Sequence, residues 1–179
     1  MSEIEAIEAD ADYNPQHPIF LMLHHPIIGT VFNGISTIDR RYTTDFVDFL
    51  AARPNIVQLT AHKHMAAQYP QILSQDAGFT AFQTPLTSTS GGNSHMHQTS
   101  FIDVTTDNKV KIYRIDLTSD TFIGEPWVID LALGEEGFQY TSKVRSGYTA
   151  APTFAAGAAV TASDVTNYSA TIHYPTGAV

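Results

Sequence analysis

Histidine is the residue type whose spacing in this chain most clearly suggests chemistry. Six of the eight histidines fall into three close pairs, which are His24 with His25, His62 with His64, and His95 with His97. Neutral imidazole is a good ligand for divalent ions of the Zn, Mn and Fe class. In an extended H-x-H segment, both rings lie on the same side and can serve neighbouring ions. The pairs therefore make a metal site the first functional hypothesis.

The first two pairs follow segments that are typical of buried strands. Ile19–Leu23 is apolar at every position and runs directly into His24. Asn55–Thr60 is a second such segment, and Ala61 alone separates it from His62. Short apolar runs of this kind predict strands buried on both faces of a parallel sheet. Because open α/β sheets bind their ligands at the carboxyl ends of their strands, we expect these histidines to converge there.

The remaining elements predict an α/β layered region followed by antiparallel strands. One acidic helix, capped by Ser2, precedes the first buried strand, and a second helix, capped by Thr44, connects the two strands. From about Gln71 onward, short strands alternate with turns. A hairpin is predicted between Gln98–Val104 and Val110–Leu117. The sequence therefore predicts a mixed α and β fold.

Composition excludes several functional classes. The chain has 9 Lys and Arg against 18 Asp and Glu, a net charge of −9, so it repels phosphate backbones and is not expected to bind nucleic acid by bulk charge. It contains no cysteine, which excludes disulfides and thiolate metal sites. Its longest apolar run, Ile19–Leu23, is far shorter than the ~20 residues that span a bilayer, so no membrane span is expected.

Localisation stays unassigned by the sequence. Charged residues make up only 15% of the chain, against a usual ~25%, which favours a secreted or cell-envelope protein. The N-terminal segment MSEIEAIEAD is acidic and lacks the features of a signal peptide. The signal of an exported protein is therefore expected upstream of this sequence.

By spacing alone, the histidine pairs have two open interpretations, as metal ligands or as polar residues that begin loops. A resemblance favours the first. The segments LMLHHP, ending at Pro26, and LTAHKH, ending at His64, resemble the last two motifs of the calcineurin-like metallophosphoesterases, which are H-x-P and G-H-x-H. The helix and strand between the two segments also resemble those of the family. The resemblance covers about residues 1–131.

The resemblance implies a four-layer α/β/β/α sandwich that hydrolyses phosphate mono- or diesters at two divalent ions of the Mn, Fe or Zn type. His24 matches one ligand of the first ion, and His62 matches a second ligand of that ion. His64 matches a ligand of the other ion. These residues would hold the ions, the substrate would be a small phosphate ester, and no catalytic residue is assigned in this chain.

The sequence departs from the family pattern in two ways. Ala61 stands where the family has glycine, and the earlier motifs D-x-H, G-D and G-N-H, which supply the remaining ligands, occur nowhere in it. We therefore expect residues 1–148 to be the C-terminal half of a phosphoesterase domain, inactive alone. Residues 149–179 would begin a truncated immunoglobulin-like β-sandwich, or form a linker. The alternative is a non-catalytic module of a multidomain secreted or surface protein that keeps a remnant metal site.

The other histidines have simpler interpretations. His25 follows a metal-ligand candidate, and we interpret it as a residue that packs beside that ligand. His95 and His97 lie in a Gly/Ser-rich segment, and we interpret them as residues of a solvated loop or strand edge. His173 stands among alternating strand residues and is expected at the surface.

Overall fold

The computed structural model describes residues 1–31, 42–87, 97–146 and 159–173. These residues divide into two units, Met1–Ser142 and Lys143–Val179, and each is described by itself. The four histidines of the first two pairs, His24, His25, His62 and His64, all lie in the first unit.

The predicted buried strands form part of one mostly parallel sheet. Its strands are β1 (Ile19–Met22), β2 (Ile56–Thr60), β3 (Leu73–Ser74) and β4 (Thr80–Gln83). Across the sheet the order is β1-β2-β4-β3, with β1, β2 and β4 parallel and β3 antiparallel to β4. The register pairs Ile19 with Ile56 and Met22 with Leu59. The two strands that precede the histidines therefore end at the same sheet edge, as the sequence predicts.

Two helices, α1 (Ser2–Glu8) and α2 (Thr44–Ala51), cover one face of this sheet. Ile4 of α1 and Leu50 of α2 are buried in one core with Ile56 of β2. This core fixes the connection between the two buried strands, because α2 packs on the sheet just before β2 begins.

Both helices begin one residue earlier than their expected caps imply. Met1 is the N-cap of α1 and makes no side-chain capping bond, so the predicted capping role of Ser2 is wrong. Thr43, and not Thr44, caps α2: its side chain accepts a hydrogen bond from the N–H of Phe46. Thr43 has the extended backbone that a cap requires, and Thr44 is already helical.

An ion pair ties the two helices together. Arg53, which follows α2, donates from Nε and Nη2 to the two carboxylate oxygens of Glu8, at 2.7 and 2.9 Å. Because the Glu8 carboxylate accepts these hydrogen bonds and favours the charged guanidinium, it raises the pKa of Arg53. The guanidinium also donates to the carbonyl of Phe49, so it anchors the end of α2 as well.

A second, antiparallel sheet covers the opposite face. It contains β5 (Gln98–Val104), β6 (Lys109–Asp116), β7 (Thr121–Phe122) and β8 (Trp127–Asp130), and β6 pairs with all three others. The pairing of β5 with β6 confirms the predicted hairpin. Between the two sheets lies a second core, whose buried residues are Val57, Ile72, Leu73, Phe82, Val110, Ile112, Ile129 and Leu131. The unit Met1–Ser142 therefore has a helix layer, a mostly parallel sheet and an antiparallel sheet.

Strand β1 differs from its prediction. Phe20 is 38% exposed and Met22 is 78% exposed, so the expectation of burial on both faces is wrong for β1. The register places both residues on the face of Val57 and Leu59, but β1 is the edge strand, and no described residue of β1 belongs to the core between the sheets. Only the helix-covered face of β1 is buried.

The remaining elements are short. Turns of 3-10 helix occupy Pro70–Ile72 and Leu131–Gly137. α3 spans Ser142–Ser146, and the second unit also contains the antiparallel strands β9 (Thr161–Ser163) and β10 (Thr171–His173). Within the described ranges, every helix is too short or too polar to cross a membrane.

Gly78, just before β4, provides a test of the packing between α2 and the sheet. Its φ is +85°, and a Cβ there would lie 2.8 Å from the carbonyl oxygen of Ala51. Gly29 has a similar φ of +80°, with no described atom within 4 Å of such a Cβ. We expect Gly29→Ala to lower the free energy of unfolding by about 1–2 kcal/mol through backbone strain alone. Gly78→Ala should cost about 1–3 kcal/mol more, because the backbone of α2 must move.

Urea unfolding of both variants measures this difference. Equal losses at the two positions would mean that α2 does not pack against the start of β4 as described.

Candidate functional site

The backbone pairing of β1 and β2 continues beyond the ends of the strands. The N–H of Leu23 donates to the carbonyl of Leu59, and the N–H of Ala61 donates to the carbonyl of His24, both at 3.0 Å. This last bond fixes His24 beside the residue that precedes His62. The two histidines are therefore neighbours because the strands are parallel and in this register.

Three imidazole rings meet at this edge. The Nε2 of His24 lies 3.3 Å from the Nδ1 of His62. The ring of His25 lies against both, with centroid separations of 4.0 Å from His62 and 4.8 Å from His24. One ring nitrogen from each residue can be chosen so that all three lie within 4.8 Å of one another. Among the described residues, this group contains three imidazoles and no other metal-ligating side chain. Because imidazole nitrogens bind divalent transition-metal ions, the group is a candidate metal centre.

The group lies at the protein surface but is not fully exposed. His24 is exposed, His62 is half-buried, and His25 is only 9% exposed. A ring nitrogen that is accessible from one side, on a side chain held from the other, is suited to binding an ion from solution.

A tight turn separates His64 from the group. The N–H of Lys63 donates to the carbonyl of Ala61 at 2.8 Å, and the φ of the intervening His62 is +69°. A hydrogen bond across three residues with positive φ at the centre is the rarer and more strained form of γ-turn. The segment is therefore not extended, and the expectation of an extended H-x-H segment is wrong. The assignment of His64 to a second ion stays a prediction. His64 is not a member of the three-imidazole group.

The backbone also accounts for Ala61. The positive φ values in this loop belong to His62 and to His64, at +49°, and not to Ala61. An alanine is strained only in such a conformation. The departure from the family glycine at this position therefore costs no backbone strain.

The sequence interpretation expects His25 to pack beside a metal ligand and does not count it among the ligands. In the structure, His25 is a member of the three-imidazole group. In a continuing strand, neighbouring side chains point to opposite faces, which would separate His24 from His25. β1 ends at Met22, however, and the chain bends at both histidines before Pro26. The signal in the sequence was the doublet directly before a proline, because proline cannot extend a strand ladder.

Buried polar contacts hold the loop that follows His62. The Oε1 of Gln98 accepts from the N–H of Ala67 at 2.7 Å, and Gln98 is 1% exposed. The N–H of Leu86 donates to the carbonyl of Met65. The loop is therefore attached to the antiparallel sheet and not only to β2.

Arg114 of β6 supports the same loop. It donates to the carbonyl of Ala67 at 3.4 Å and to that of Glu125 at 2.7 Å, and its guanidinium lies 3.8 Å from the ring centroid of Trp127. Burial lowers the pKa of Arg114. Carbonyl dipoles and an aromatic face therefore stabilise this buried cation.

The other histidines that the structure describes are not members of the group. His97 stands immediately before β5, and its carbonyl accepts from the N–H of Leu117, which places it at a strand edge as expected. His173 is exposed on β10, with its Nε2 2.8 Å from the Oγ of Ser163. His95 lies outside the described residues, so its expected place in a solvated loop or at a strand edge stays a prediction.

No protein-family model, no curated protein and no solved structure matches this chain. The family resemblance therefore depends on the two histidine motifs and on the elements between them.

The contact between Gln98 and Ala67 provides a test of how the loop is held. Gln98→Ala leaves the N–H of Ala67 buried without its acceptor, which should lower the free energy of unfolding by about 1–3 kcal/mol. Gln139→Ala is the matched control, because Gln139 is exposed and its loss should change stability by less than about 0.5 kcal/mol. Thermal or urea unfolding measures both. Equal stability of the two variants would contradict the anchoring of the loop by Gln98.

Proposed function

We propose that this chain contributes His24 and His62 to a metal-dependent hydrolysis of phosphate esters. The observation that carries the proposal is the 3.3 Å separation of His24 Nε2 and His62 Nδ1 at the carboxyl edge of two parallel strands. The motif resemblance assigns these two histidines to the same ion. Backbone pairing brings together the two residues that the proposal requires to be close.

The separation fits a shared metal ion. Two nitrogens bound at 2.0–2.1 Å in tetrahedral geometry lie about 3.3–3.4 Å apart. Imidazole nitrogens are also ligands that Zn²⁺ and related ions accept. In this structure the two nitrogens are at hydrogen-bond distance from each other, and the same separation would let one ion take the place of the proton between them.

The described residues do not by themselves fit the two-ion centre that the resemblance implies. His64 is outside the group, and within the described ranges no carboxylate joins the three imidazoles. A second ion and its bridging carboxylate would need ligands from another part of the protein. We therefore derive no catalytic step through a pair of ions.

The uncovered edge of the sheet supports the proposal that more of a sandwich packs here. Phe20 and Met22 present apolar surface beside β1, whose pairing within the described residues is with β2. Further strands paired with β1 would extend the sheet, and a layer packed on its open face would bury that surface. A four-layer α/β/β/α sandwich, with residues 1–148 as its C-terminal half, would place such strands here.

A bound ion would offset the repulsion between this acidic chain and a phosphate substrate. A net charge of −9 repels a phosphate ester. A divalent ion at this site would supply positive charge where the phosphoryl oxygens bind. His24 and His62 would fix the position of that charge, and neither would transfer a proton to or from the substrate.

A second candidate is a non-catalytic module of a secreted or surface protein with a remnant metal site. One observation favours it: the group consists of imidazoles alone in the described part of the chain. A phosphoesterase needs more ligands than this group offers, but a simple metal-binding module does not.

The test compares this chain with a longer product of the same reading frame. Chromogenic phosphate mono- and diesters are assayed with Mn²⁺ or Zn²⁺. We expect no turnover by the 179-residue chain and clear turnover by a product that includes upstream D-x-H, G-D and G-N-H motifs. His62→Ala in the longer product should lower turnover at least about 100-fold, because the ion loses a direct ligand.

His17→Ala is the control, since His17 lies near Asn14 and outside the group. Turnover by the short chain that His62→Ala abolishes would show that the half-domain interpretation is wrong. An upstream frame without these motifs, and no turnover by either product, would leave the non-catalytic module as the function.

A further inference from the structure

The three-imidazole group has a composition that selects a class of ion. Mg²⁺ and Ca²⁺ take oxygen ligands, and within the described residues the group offers none. Three imidazoles suit Zn²⁺, Co²⁺ or Ni²⁺, and three protein ligands leave one coordination position open. The chemistry of the donors therefore points to a single transition-metal ion.

The backbone decides which histidine is the third donor. The turn centred on His62 takes His64 out of the group, whereas the bend before Pro26 turns His25 toward His62. The ring centroids of His25 and His62 are only 4.0 Å apart. His25 therefore already lies against a ring of the pair, and His64 is not a member of the group.

The positions of His25 and His62 suit ligands that are fixed in advance. His25 is 9% exposed, so its ring is held by its surroundings and loses little freedom on binding. His62 has a φ of +69°, a conformation that is strained for a residue other than glycine. Such strain is concentrated at functional sites.

We propose that His24, His25 and His62 bind one Zn²⁺-class ion, with His25 as the third ligand and with a fourth position open to water or a small anion. This inference depends on the proposed metal role of His24 and His62. It differs from the two-ion arrangement in its stoichiometry and in the identity of its third ligand, and it does not require catalysis.

The chain has no cysteine, which makes a ligand-swap experiment possible. A thiolate bound to Co²⁺ produces a near-ultraviolet charge-transfer band that imidazole does not produce. In His25→Cys or His64→Cys, such a band can come only from the introduced side chain. The same 179-residue chain is titrated with Co²⁺ in both variants, and circular dichroism verifies that each is folded.

We expect the charge-transfer band in His25→Cys and none in His64→Cys. Titration calorimetry with Zn²⁺ should give one ion per chain, with affinity lowered at least about 10-fold by His24→Ala, His25→Ala or His62→Ala. His64→Ala should leave the affinity within about twofold of the unchanged chain, because His64 lies outside the group.

Any band from His64→Cys would overturn the assignment of His25 as third ligand. Absence of Zn²⁺ binding by the folded, unchanged chain would show that the three rings are only packed together. Neither result depends on phosphate-ester turnover, so failure of this inference is distinguishable from failure of the proposed activity. Zn²⁺ binding with the expected ligands but no turnover by the longer product would reject the activity and keep the site.

Discussion

The parallel pairing of β1 with β2 is the constraint on which the site depends. In a parallel pair, both chains reach the same edge together, and the hydrogen bond from Ala61 to the carbonyl of His24 extends that pairing into the loops. A shift of one residue in this register would move every side chain of β1 to the other face and separate His24 from His62. The register is stable because the helix-covered core buries Ile19 and Ile56 on one face. The distance between His24 and His62 at the surface therefore depends on the burial of the apolar side chains that fix the register of β1 and β2.

The structure also explains why only part of the site is held firmly. The loop after His62 is attached through Gln98 and Arg114 to the antiparallel sheet, so one side of the group depends on the packing of the two sheets. The other side follows β1, an edge strand with one face open. His24, which is exposed, therefore projects from the less enclosed strand. A further layer against β1 would bury apolar surface and restrict this ring at the same time.

Sequence reasoning predicted the elements better than the turns. The apolar runs before His24 and His62 gave two adjacent strands, because burial and strand ends are local features of a sequence. The turn at His62 depends on a single hydrogen bond and an unfavourable φ, which no periodicity reveals, so the expectation of an extended H-x-H segment was wrong. The position of His25 against His62 was missed for a related reason, since alternation predicts opposite faces for neighbours unless the strand has already ended. The exposure of Met22 depends on where the second sheet stops, a long-range fact that its own sequence does not contain.

The most direct test of this account is X-ray absorption spectroscopy of the folded chain loaded with one equivalent of Zn²⁺. Scattering from the imidazole carbons counts the histidine ligands of the ion. The account predicts three imidazole nitrogens at about 2.0–2.1 Å with one further light ligand, and no second metal ion nearby. A shell made mainly of oxygen, fewer than three imidazoles, or a neighbouring metal ion at about 3.5–4 Å would contradict it.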